Sequence, residues 1–296
     1  MRYRRFRLLG VILLIFVMIG CAVSRLDEAK RQYTLALQSE DPLPHYKAAL
    51  EELDAAIARD PGFYQAYAIK GLIYRNLEDY ERATENLDIA KQGSYGGQLQ
   101  WVPVIINLTY GEIFHLQAGE AIRAGDYERA KSYQETAIQF FNNVISTSFN
   151  SLEEFSGEDE FGLTMQDLYV KSQGRWAAGK FQMAVIAGRT ESKERQSEIL
   201  REVINRLSSV IEGYPDATSL RYYLADGYNK QALTIRRDDP EESARLQERA
   251  IAQLRVCAEL GLSTDLRNPA AQLVRTLSQG TETDIEMKIL GTNSSP

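Results

Sequence analysis

Residues 64–91 read YQAYAIKGLIYRNLEDYERATENLDIAK. Counted from Tyr64, Tyr67 stands fourth, Gly71 eighth, Tyr74 eleventh, Tyr80 seventeenth, Ala83 twentieth, Leu87 twenty-fourth and Ala90 twenty-seventh. Within each half these positions are three or four apart, the period of one helix face. The polar pair Glu78-Asp79 interrupts the pattern, so the spacing predicts two antiparallel helices, about Tyr64–Leu77 and Tyr80–Lys91. Gly71 and Ala83 fall where the helices cross closely. A large side chain there would overpack the crossing and cost about 1–3 kcal/mol.

The pattern recurs in both directions. Stepping back 34 residues puts a unit start at Lys30, with Tyr33 fourth, Ala49 twentieth, Leu53 twenty-fourth, Ala56 twenty-seventh and Pro61 thirty-second. Pro61 closes the second helix of that unit, because proline cannot continue one. Further on, Gly111, Phe114, Ala118 and Ala121 precede Gly125-Asp126-Tyr127, Ala130 and Ala137. GDYERA at 125–130 echoes EDYERA at 78–83, an internal sign of duplication. Ala83 and Ala130 are 47 residues apart, so extra residues separate these units, GSYGG among them, and the next helix starts near Val104.

The C-terminal half carries weaker copies. Glu191–Gly213 is amphipathic, with Ile199, Val203, Leu207, Val210 and Ile211 on one face before Tyr214-Pro215. Leu220–Ile235 and Glu241–Leu260 make a further hairpin around Leu224, Ala225, Tyr228, Ala250, Leu254 and Cys257. Pro269–Ser278 is expected to form a short capping helix. The domain reading is repeats at about 30–63, 64–97 and 111–146 within a block 21–149, then an acidic linker at 150–162. A degenerate helical block at 163–279 and a polar, disordered tail at 280–296 complete it.

The spaced positions of residues 64–91, counted from Tyr64, resemble the tetratricopeptide repeat. The resemblance implies an all-α fold, a right-handed α-α superhelix (a solenoid of antiparallel helix hairpins) whose first helices line a concave groove for a peptide or a partner's helix. Groove-facing residues in that family commonly sit at the second, fifth, ninth and twelfth positions. Carried onto this chain, that selects Gln65, Ala68, Leu72 and Arg75, then Glu112, His115, Gly119 and Ile122, then Ser219, Tyr222, Asp226 and Asn229. Gln65, Leu72, Arg75, His115, Ile122, Tyr222, Asp226 and Asn229 are the expected partner contacts. Chaperone-binding members clamp a terminal carboxylate with lysine and asparagine, and Ala68 and Leu72 argue against that role here.

The N-terminus is of another kind. MRYRRFR (1–7) has four arginines and no acid, and LLGVILLIFVMI (8–19) has no polar side chain. Twelve residues rise only about 18 Å as a helix, short of a roughly 30 Å hydrocarbon core. Met18-Ile19-Gly20-Cys21 resembles the lipobox of bacterial lipoproteins, with Met18 where leucine is usual. The resemblance implies a signal peptide over residues 1–20, cut before Cys21, whose thiol carries diacylglycerol and whose amine is acylated. Two or three chains anchor stably where one does not. The other reading is an uncleaved anchor over Phe6–Val23. Loss of residues 1–20 takes the net charge from −7 to −11, the wrong sign for a nucleic-acid binder.

No catalytic or metal motif emerges. His45 and His115 are 70 residues apart, and the two cysteines cannot make a four-thiolate zinc site. There is no phosphate-binding G-x-x-x-x-G-K-[ST] and no G-x-S-x-G nucleophile elbow. His45 reads as a solvated turn residue, Cys257 as a small buried packing residue, Trp176 as core, and Glu153, Glu154, Glu158, Asp159 and Glu160 as a solvated linker rather than a calcium loop. The expected function is a non-enzymatic scaffold without a cofactor, lipid-anchored in the bacterial envelope, with a protein or peptide in the groove. Ala22, where aspartate would signal inner-membrane retention, points to the outer membrane, facing the periplasm. The alternative is a solute-binding accessory of a transport system, with a pocket near Trp176, Tyr222 and Tyr223.

Overall fold

The computed structural model describes residues 24–93, 101–152, 164–278 and 283–291, and among these the chain is helical with no strand. Helix α1 covers residues 24–38, followed by α2 (Leu43–Arg59), α3 (Tyr64–Asn76), α4 (Tyr80–Gly93) and α5 (Trp101–Arg123). Then come α6 (Tyr127–Asn150), α7 (Met165–Thr190), α8 (Lys193–Gly213) and α9 (Thr218–Ile235). Helices α10 (Pro240–Leu260), α11 (Thr264–Ser278) and α12 (Thr283–Leu290) follow. The fold is all-α, built of antiparallel hairpins. The expected signal peptide at 1–20, Cys21, the GSYGG residues beyond Gly93 and the acidic cluster from Glu153 to Glu160 lie outside the described residues.

The described residues group into two compact units, 24–113 with 164–165, and 114–152 with 166–291. The units divide after Leu152, within the acidic stretch 150–162, and also inside α5, between Ile113 and Phe114. The reason is that one 23-residue helix serves two cores. Its first half places Ile105 in a cluster with Leu72 of α3. Its second half stacks Phe114 on Phe140 of α6, ring centroids 5.9 Å apart.

In the first unit, Tyr33, Tyr46, Ala49 and Leu53 pack with Ile69 and Ile73 in one buried cluster. Asn76 closes it: its Nδ2 donates to Tyr46 Oη at 3.0 Å and Tyr33 Oη at 3.3 Å, tying α3 to both preceding helices. The α3–α4 crossing is as close as the sequence required. A Cβ added at Gly71 would lie 2.6 Å from Leu87 Cγ and 3.3 Å from the Ala83 carbonyl oxygen.

Two turns have the same construction. After α3, Glu78 adopts φ 61°, and Asp79 then caps α4 by accepting from the Arg82 backbone N–H at 3.0 Å. The Arg82 guanidinium, bonded to Asp79, holds that carboxyl below its ordinary value. After α5, Gly125 takes φ 77° and Asp126 caps α6 through Arg129 N–H at 3.1 Å. The duplicated hexapeptides thus make one turn, with a left-handed residue followed by an aspartate cap.

The second unit continues the small-residue packing. Ala121 and Ala130 are buried against Ile186. Leu224, Ala225, Ala250, Leu254 and Cys257 are all buried where α9 meets α10. The end of the chain departs from expectation. Helix α11 begins at Thr264 and carries Pro269 inside it. Residues 283–290, expected within a disordered tail, form α12, because Ile285 and Ile289 are buried on α10 and α11 and Arg275 pairs with Glu286. Two isoleucines four residues apart give this short polar stretch an apolar face.

Candidate functional site

The expected groove residues belong to both units. Gln65, Leu72 and Arg75 lie on α3 of the first. Gln65 is half-buried, whereas Leu72 is 8% exposed and sits in the core beside Ile105. Arg75 is turned to α5, where its guanidinium meets the Glu112 carboxylate at 2.7 Å, both side chains largely buried. Ala68 has no exposed surface. This face of α3 is therefore covered by α5 rather than presented to a partner, a consequence of the long first helix in the third hairpin.

In the second unit, His115 is held by two glutamines. Its Nδ1 is 3.0 Å from Gln134 Oε1, and its Nε2 is 3.4 Å from Gln182 Nε2. These contacts suit a neutral ring that donates from Nδ1 and accepts at Nε2. Ile122 packs on the Ala121–Ala130–Ile186 cluster. On α9, Tyr222 meets Tyr223 edge-on at 5.3 Å, and burial, then Asp226, pushes its hydroxyl pKa well up. Asp226 pairs with Lys230 at 2.6 Å, and Asn229 is buried. His45 is likewise not a turn residue: it lies in α2, with Nδ1 2.9 Å from Gln32 Oε1.

The pocket expected near Trp176 is filled by the protein itself. Trp176 is 1% exposed, with the Arg206 guanidinium 4.0 Å from its ring centroid and Lys180 Nζ 5.5 Å away. Arg206 Nε donates to Gln173 Oε1 at 2.9 Å, and burial lowers the guanidinium pKa. A cationic lid over an indole is a packing device here.

An open cavity of about 710 Å³ lies elsewhere, where α7, α8 and α9 converge. Its floor is apolar, with Phe181, Ala184 and Leu200 buried. Val185 and Leu233 stand on its sides at 40% and 53% exposure. Its rim is cationic: Lys193, Lys230, Arg236 and Arg237. Lys230 Nζ sits 5.2 Å from the Phe181 ring centroid and is neutralised by Asp226. Lys193, which follows the Ser192 cap of α8, pairs with Asp238.

That leaves two cations. Arg236 and Arg237 are exposed at the end of α9 and, among the described residues, have no ion-pair partner. The charge pattern of the sequence does not single this site out, because the two arginines of RRDD at 236–239 are followed at once by two aspartates. In the fold Asp238 is taken by Lys193, and Asp239 caps α10 by accepting from Glu242 N–H at 3.0 Å. The usable signal was the cap itself, since Asp239-Pro240-Glu241-Glu242 is a helix start and Asp239 was committed to it.

No helix of the described residues is long and apolar enough to cross a membrane. No group of three or more potential ligands among them could hold a metal ion. No family model matches the chain, and no curated protein does. Among solved structures, the crystal structure of the P58(IPK) TPR domain aligns with 89% of this chain and 96% of its own, at 12% identity and a TM-score of 0.21. Likeness at that level carries neither fold nor function. The helical-hairpin architecture rests on the packing described above.

Proposed function

We propose that the chain is a non-enzymatic scaffold of the bacterial cell envelope, lipid-anchored through Cys21 and binding protein partners on its helical hairpins. The observation that carries the binding half is the open cavity between α7, α8 and α9, where exposed Val185 and Leu233 stand beside unpaired Arg236 and Arg237. Exposed apolar groups rimmed by charge mark interaction sites. The anchoring half rests on MIGC at 18–21 after a basic and then apolar leader. Diacylglycerol on the thiol plus an acyl group on the new amine supplies the two or three chains a stable tether needs. Ala22 after the cysteine favours the outer membrane, with the helical body in the periplasm.

Metabolic labelling with radioactive palmitate tests the anchor, and photocrosslinking from position 233 tests the binding. Cys21→Ser should abolish labelling and leave an uncut precursor, and a crosslinker at 233 should capture a protein. Labelling that survives Cys21→Ser refutes the anchor, and an empty crosslink at 233 under native expression refutes the scaffold. A second reading, a solute-binding accessory of a transporter, draws on the cavity volume of about 710 Å³, within the size of small-molecule sites. Large thermal shifts with metabolites would favour it.

A further inference from the structure

Resting on the scaffold reading, we infer that the α7–α8–α9 cavity is built for an acidic peptide segment of a partner protein, its carboxylates on Arg236 and Arg237 and an adjacent large apolar side chain between Val185 and Leu233. The occupant is identified by charge complementarity. The chain as a whole carries −7, yet this rim concentrates four cations, and only two of them are neutralised, by Asp226 and Asp238. Two adjacent arginines without carboxylate partners among the described residues leave positions for carboxylates from outside. Guanidinium groups bind carboxylates bidentately, giving orientation as well as attraction.

The walls define the rest of the ligand. Phe181 and Leu200 form a buried floor, and Leu233 is 53% exposed one turn before Arg237. A side chain entering beside the carboxylates removes Leu233 and Val185 from water together. The arginines follow Leu233 closely at the end of α9, so the preferred segment pairs Glu or Asp with Phe, Leu or Met within a few residues. Lys230, lodged over the Phe181 ring, stays with Asp226 and holds the floor in place. Lys193 remains anchored to Asp238 across the mouth.

The test uses the full chain in detergent micelles as bait for a random displayed-peptide library, with enriched sequences resynthesised and titrated by fluorescence anisotropy. Enrichment of acidic-apolar peptides, weakened about tenfold or more by R236E/R237E and a few-fold by doubling the salt, supports the site. R236K/R237K should keep the salt dependence but lose part of the affinity, because an ammonium cannot bind a carboxylate bidentately, and a folded thermal transition in R236E/R237E makes its loss a loss of binding. Enriched peptides that are neutral or basic, or that bind R236E/R237E as tightly as the parent chain, overturn this site and leave the scaffold reading standing. If no peptide is enriched at all, both fall. Capture of inorganic phosphate or anionic vesicles in place of peptide also overturns it.

Discussion

Lys193, the first residue of α8, forms an ion pair with Asp238 in the turn that leads into α10. The pair ties one hairpin's entry to the next hairpin's turn across the mouth of the cavity. Both side chains are exposed, at 42% and 69%, so the bond contributes less than about 1 kcal/mol to stability. Its larger effect is on local charge. Asp238→Asn should therefore leave the urea midpoint nearly unchanged while freeing a third cation, so that acidic peptides bind more tightly at low salt. A stability loss above about 2 kcal/mol would show that the pair is structural instead.

Gly71 sits against Leu87 with no room for a methyl group. Gly71→Ala should destabilise the chain by about 1–3 kcal/mol, because Leu87 must leave its place. Trimming the obstacle should restore part of the loss, so a double-mutant cycle with Leu87→Ala should show coupling of about 0.5 kcal/mol or more. Strictly additive effects would mean the crossing is looser than its geometry.

The repeated turn offers an internal comparison. Glu78 holds φ 61° where its counterpart Gly125 holds φ 77°. A left-handed conformation costs a non-glycine residue roughly 1–2 kcal/mol, partly offset by the greater unfolded freedom of glycine. Glu78→Gly should then stabilise the chain by up to about 1 kcal/mol, whereas Gly125→Ala should lose a comparable amount. Thermal unfolding followed by circular dichroism reads both signs, and a destabilising Glu78→Gly would be inconsistent with strain at that turn.

Cys257 is wholly buried, its Sγ donating to the Thr218 carbonyl at 3.4 Å, and burial pushes the thiol up to about 12 from an ordinary 9.0. The folded chain keeps this proton to higher pH than the unfolded chain. Its contribution is therefore full below pH 9 and is lost as the pH climbs toward 12. Tyr110, raised by burial and its bond to Asp88, and Tyr222 act in the same direction. Cys257→Ala should cost about 1 kcal/mol at pH 7, and the gap to the parent chain should narrow above pH 9. A gap that stays constant up to pH 11 would contradict the assignment. In a Cys21→Ser background the native thiol should resist an aromatic disulfide reagent that reacts promptly in urea.

Ile285 and Ile289 are 7% and 3% exposed on α12. Ile289→Ala should cost about 2 kcal/mol or more, and a cost near zero in urea unfolding would refute the packing of α12. Truncation after Ser278 should lower the melting temperature as well, since it uncovers Leu273 and Val274 of α11.

Much of the repeat core was legible before any fold was known. Ala49, Leu53, Ala83, Leu87, Ala130, Ala137, Ala250 and Leu254 are all buried, and the helix limits predicted for 64–91 hold to within two residues. Small residues at fixed helical spacing report a close crossing, which is local information repeated along the chain. The groove was less legible. Leu72 and Arg75 carry a family position, yet α5 covers them, because its length depends on what it packs against rather than on its own pattern.

The amino-acid order by itself therefore determined the hairpins and the shared turn at 78–83 and 125–130. Periodicity, capping and turn chemistry act over fewer than about ten residues, so sequence alone can specify them. Only the tertiary structure decided which charges cancel. Arg236, Arg237, Asp238 and Asp239 are neighbours along the chain, but Lys193 lies some 45 residues away and takes Asp238, while Asp239 serves α10. Charge pairing follows distance through space, and that is what leaves two arginines at the mouth of a cavity in an acidic protein.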